Sequence, residues 1–260
     1  MKSKFIVSVL LIFTCYFIID DMYFNDFRSF INQYINQKGI SHIISYLVFG
    51  TPLIIGTLLI HRFKNFFGSL GLNSSISKGF LIPLLWTIPM LIGYASLFSF
   101  NSEVTLNQIL FSGIAAAFFE EVYFRGFLFG QLYRYTKLGF IPSVIAGALL
   151  FAIIHLYQSQ EFSELLGIFL VTFVGALLFA WLYIEWKNNI WIPIFLHFFM
   201  NIFWLFFSVG DNALGGVYAN VIRTLTVVLV IVSTIIYKRR KGIPLEINKR
   251  TLWLKKSNNI

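Results

Sequence analysis

The residues with chemistry to offer lie where charge is least expected. Glu120, Glu121 and Arg125 sit in "AAAFFEEVYFRGFLFG" (115–130), a stretch otherwise almost entirely apolar. His155 ends "FAIIH", while His197 and Asn201 bracket "HFFMN". On a helix, Glu121 and Arg125 stand four residues apart and can form an intrahelical ion pair. Glu120 then points about 100° away and has no intrahelical cation at favourable spacing. An unpaired carboxyl in such surroundings is a candidate general base or proton carrier. A carboxyl buried only for a helix-to-helix hydrogen bond is the plainer alternative, but Ser or Asn would make that contact at lower cost. His197 and Asn201 share a helix face, as do Phe151 and His155. An imidazole and a carboxamide would thus sit side by side toward the interior.

Those residues must be positioned by elements built for lipid. Of 260 residues, 58% are hydrophobic and only 12% charged, about half the charged share of a soluble domain. The apolar excess has to face a bilayer. A charge at mid-bilayer costs on the order of 2.5–3.5 kcal/mol, so the carboxylates must face protein or trapped water. The expected fold is all-α, a polytopic membrane bundle of about eight transmembrane helices forming a single integral domain over 1–260. Apolar runs place the spans near 5–19, 43–60, 79–100, 106–133, 141–157, 165–184, 191–209 and 217–237. Lys2 and Lys4 before the first run imitate a signal peptide, but "IIDDMYFND" offers no small-residue cleavage site, so the run is read as an uncleaved span.

Charge sets the orientation. Lys2, Lys4, Arg62, Lys64, Lys78, Arg134, Lys137, Lys187 and a basic tail over 238–260 alternate with segments holding Asp20, Asp21, Asp26, Glu103, Glu161, Glu164 and Asp211. Both termini are therefore expected in the cytoplasm. The net charge of +9 belongs to this alternation and to anionic headgroups beside the tail, not to nucleic acid. Cys15, the lone cysteine, excludes an intramolecular disulfide and any Cys-based metal site. Arg223 lies close to the outer end of the last span, where it can snorkel, and receives no role. His42 and His61 read as interfacial polar residues. At about 1.5 Å per residue, Glu120 and His155 fall near mid-membrane and His197 toward the inner side, which favours substrate entry from the cytoplasm.

"EEVYFR", "FAIIH" and "HFFMN" have the forms EExxxR, FxxxH and HxxxN, in this order and on separate spans. Together they resemble the CAAX protease and bacteriocin-processing family of intramembrane endopeptidases, over residues 113–201. The resemblance implies peptide-bond hydrolysis within the membrane, on a membrane-associated peptide or protein substrate. Carried over, Glu120 activates water with help from His155, His197 and Asn201 stabilise the oxyanion, and Glu121 with Arg125 supports the site. Glu120, His155 and His197 could also supply a two-His, one-carboxylate site for Zn²⁺. Against that, no HExxH is present and Glu120 cannot readily serve as both ligand and base, so a metal-free glutamate mechanism is preferred. Two other function classes fit the same residues: a proton-coupled transporter, and a non-catalytic membrane partner such as an immunity protein or signalling scaffold. The setting implied is a bacterial cytoplasmic membrane; oligomeric state is not encoded in any motif.

Overall fold

The computed structural model describes residues 2–255. Among the described residues nine helices, besides a one-turn 3-10 helix at Leu156–Gln158, follow one another: α1 (Lys2–Ile35), α2 (Lys38–Phe49), α3 (Thr51–Leu70), α4 (Ile76–Leu97), α5 (106–135), α6 (Phe140–Ile154), α7 (Phe162–Glu185), α8 (Trp191–Phe206) and α9 (Val217–Arg240). The only β pairing among the described residues is a single bridge between Leu138 and Leu254. Helices Ser3–Ile35, Ile76–Leu97, Phe140–Gln158, Phe162–Glu185 and Val217–Arg240 are long and apolar enough to cross a membrane; α2 and α3, bent by 40°, make a sixth if counted together. The chain is a polytopic helical membrane bundle. Of the eight expected spans, α5 carries the charges and α8 has 16 residues, so neither passes that test of length and composition.

Two boundaries differ from the sequence pattern. α1 does not stop near residue 19 but runs through Asp20, Asp21 and Asp26 for 34 residues. Phe24 and Phe27, three apart on one face, pack against His42, Tyr46 and Phe49 of α2, which gives the extension a partner. The second expected span is broken at Gly50, ahead of Pro52. The Tyr123 hydroxyl donates to Tyr46 O at 2.7 Å beside the break. Gly50 is required there, because a Cβ would fall within the Tyr123 hydroxyl.

α5 is the centre of the bundle. It comprises Leu106–Gln108, a wide-turn π segment Ile109–Phe129, and Gly130–Tyr135. It packs against α1, α2, α3, α6, α7 and α8, and every residue from 121 to 133 is buried. A helix surrounded by protein can carry ionisable groups that lipid would expel.

The two ends of the bundle have different bonding. At the basic end, Arg134 donates to Gly68 O, Ser69 O and the Tyr183 hydroxyl, satisfying carbonyls at the C-terminus of α3. His61, half-buried, meets Gln131 there at 2.5 Å. The C-terminal segment also folds back onto this end. Thr251 O and Leu252 O accept from Phe140 N and Ile141 N, capping α6 with backbone carbonyls. A side chain at Gly139 would collide with Leu252 and Trp253. Lys238, expected among the headgroup-facing cations, is instead buried on Glu185, which also accepts from Glu246 N and Ile247 N. Lys256 lies outside the described residues.

Candidate active site

The EExxxR register on α5 directs its two carboxylates to different neighbours. Glu121 is fully buried, and its Oε1 lies 3.0 Å from Arg125 Nη1 and 2.9 Å from His197 Nδ1. Neither terminal nitrogen of Arg125 makes an aligned hydrogen bond, so its tie to Glu121 is coulombic. The guanidinium is held between aromatic faces, 4.4 Å from the Phe151 centroid and 5.5 Å from that of Phe179. Glu121 thus joins α5 to α8, and Arg125 joins α5 to α6 and α7.

Glu120 faces elsewhere. Its Oε2 is buried without a hydrogen-bond partner, and Glu120 has no ion pair among the described residues. It lines a cavity of about 1060 Å³ together with Arg125, Phe151, His155, His197 and Asn201. All seven residues singled out in the three motifs therefore meet at this site, six on the cavity wall and Glu121 behind it.

Hydrogen-bond partners assign the histidine nitrogens. His155 caps the end of α6, and its Nδ1 is 2.6 Å from Phe151 O. A carbonyl only accepts, so the proton is on Nδ1 and Nε2 of the neutral ring carries the lone pair. The spacing of FxxxH is thereby explained: residue 151 supplies both the carbonyl that orients His155 and the ring beneath Arg125. His197 likewise turns Nδ1–H to Glu121, leaving Nε2 as its other functional nitrogen. Asn201 Nδ2 donates one hydrogen to Ser112 O at 2.8 Å, which fixes the carboxamide and leaves the second hydrogen.

Among the described residues, no three His, Cys, Asp or Glu side chains are grouped so as to hold a metal ion. Glu120, His155 and His197 share a wall without forming the ligand set that their types allow.

The cavity reaches the end opposite the basic one. Asn101, Gln158, Asp211 and Asn212, all from the connections between helices at that end, line it. Leu170 and Val174 of α7 also border it while exposed on the outer surface of the bundle. Depth along one helix, which placed His197 toward the inner side, does not say which end of the bundle is splayed. Four residues escaped the sequence reading. Ser112 acts through its carbonyl, and Phe179 and Trp204 are aromatic residues among many. Arg223 does not snorkel: it folds onto Ala213 O and Leu214 O and lines the cavity.

Residues 102–203 match the family described as Type II CAAX prenyl endopeptidase Rce1-like. A Bacillus subtilis (strain 168) protein named "Putative membrane peptidase YdiL" is 38% identical over 99 residues, covering 37% of this chain and 35% of the relative. The match thus spans about a third of the relative's length. No solved structure matches the chain. The matched segment contains every motif residue described above, so the similarity to that family covers the whole candidate site.

Proposed function

We propose that the protein is an intramembrane endopeptidase of a bacterial cytoplasmic membrane, hydrolysing a peptide bond in a membrane-associated peptide or protein. The observation that carries this is Glu120: a carboxylate without a partner, on the wall of a cavity shared with His155, His197 and Asn201. Water is a poor nucleophile at neutral pH, so a base must take its proton as it attacks. Glu120 takes that proton while the water oxygen bonds to the scissile carbonyl carbon. His155 Nε2, unprotonated when the ring is neutral, accepts a hydrogen bond from the same water and orients it. Negative charge develops on the carbonyl oxygen, where the second Asn201 Nδ2 hydrogen and, in its protonated form, His197 Nε2 donate. The C–N bond then breaks as Glu120 returns its proton to the departing amine. Glu121 and Arg125 act by position, holding His197 and the helix that bears Glu120.

The test compares purified wild type and Glu120→Gln on a quenched-fluorescent peptide library, with and without chelator. Cleavage by wild type, abolished in the variant and indifferent to chelator, is expected. Loss with chelator and recovery with Zn²⁺ would move the activation of water to a metal. If Glu120→Gln instead restores full function to a deletion strain, the protein acts by binding. Glutamate-dependent solute uptake in proteoliposomes, with no peptide cut, would make it a transporter.

A further inference from the structure

Arg223 stands apart from the charges already placed. It lies on α9, outside the residues that match the family, yet it lines the same cavity as Glu120. Its surroundings hold it still. Nη1 donates to Ala213 O at 2.6 Å, and Nη2 to Leu214 O and Asn220 Oδ1, both at 2.5 Å. The guanidinium lies 4.8 Å over the Trp204 ring, and Trp204 is itself fixed by Nε1–H donating to Gly210 O at 2.9 Å. Among the described residues no carboxylate pairs with it, although Asp211 lines the same cavity.

A guanidinium has five N–H donors in a rigid fork, and three are used here. What remains is a positioned positive charge with two free donors, in a wall bordered by Asn101, Asn212 and Asn220. Backbone carbonyls solvate such a cation but do not neutralise it. Trp204 lies seven residues beyond His197 on α8, so the guanidinium sits about 10 Å from the His197 level, toward the mouth. An extended peptide reaching Glu120 from that mouth passes Arg223.

We propose that Arg223 is a substrate-binding residue that takes a carboxylate of the peptide, from either an acidic side chain or a free C-terminus. This rests on the endopeptidase reading for its substrate, but its own prediction concerns discrimination between ligands. Carboxylate is favoured over phosphate because this is a lone cation whose remaining donors, Nε–H and one Nη1–H, lie on separate sides of the fork, not a multi-cation nest.

The probes are four fluorescent libraries of apolar peptides, otherwise matched: free C-terminus without acidic residues, the same as C-terminal amide, amide with one Asp, and amide with one Asn. Binding is read by anisotropy on the Glu120→Gln protein, with and without Arg223→Gln, and cleavage is read in parallel on proteins retaining Glu120. Tighter binding of a carboxylate library than its neutral partner, by about tenfold or more, is expected with Arg223 and a ratio near one without it. Arg223→Lys keeps the preference at reduced size. The pair that shows the preference identifies the source, C-terminus or side chain. A purely structural arginine would lower all four affinities together and leave the ratios intact, and that result overturns the proposal. So does a wild-type ratio near one, or binding of none of the libraries. Discrimination in binding without any cleavage would leave Arg223 in place and remove the endopeptidase.

Discussion

Exchanging each carboxylate for its amide, one at a time, separates two residues that are neighbours in sequence. Glu121→Gln keeps an acceptor for His197 Nδ1 but removes the charge paired with Arg125, which is 2% exposed and makes no other ion pair among the described residues. Breaking a buried pair by removing one partner costs about 3–5 kcal/mol. The Phe151 and Phe179 faces still hold the guanidinium, so the lower figure applies, about 3 kcal/mol. At roughly 2–4 °C per kcal/mol for a chain of this size, the unfolding midpoint falls by about 6–12 °C. Glu120→Gln removes no partner, and its midpoint stays within about 2 °C of wild type. The assay is thermal unfolding in detergent, followed by intrinsic fluorescence. The double replacement Glu121→Gln with Arg125→Met recovers most of the loss, because His197 Nδ1–H keeps its acceptor and no guanidinium is left buried opposite a neutral group. The reasoning fails if Glu121→Gln melts with wild type, or if Glu120→Gln is the more destabilised of the two.

Three further outcomes are expected. Glu120→Gln lowers kcat by about 10²–10⁴ with little change in stability, the signature of a lost general base; comparable rates in variant and wild type would remove it from the mechanism. Asn201→Ala lowers kcat by about 10²–10³ and, having lost the bond to Ser112 O, also melts slightly earlier; unchanged steady-state rates would take the carboxamide out of the oxyanion site. Truncation after Leu245 strips two N–H donors from the Glu185 carboxylate and uncaps α6, costing about 3 kcal/mol or more, and a midpoint equal to wild type would show the tail to be merely apposed.

What could be read from residues alone was set by strong, local costs. Lipid tolerates so few charges that Glu120, Glu121, Arg125, His155, His197 and Asn201 stood out against an apolar chain, and helix geometry alone allowed Glu121 to meet Arg125. The all-helical membrane fold followed from the same composition, since a backbone in lipid has to bond within its own segment. Other features depended on which helices lie side by side. Glu121 meets His197 across 76 residues of sequence, a choice made by the packing of α8 on α5. The continuation of α1 past Asp20 needed the partner face of α2, and the break at Gly50 has the Tyr123 hydroxyl beside it. Arg223 looked like a snorkelling cation because its position along α9 is visible in sequence while the carbonyls of Ala213 and Leu214 above it are not. Periodicity and polarity act within one helix and survive in the sequence. The partner of a buried polar group and the end at which a bundle opens are properties of the gaps between helices, and only the assembled structure sets them.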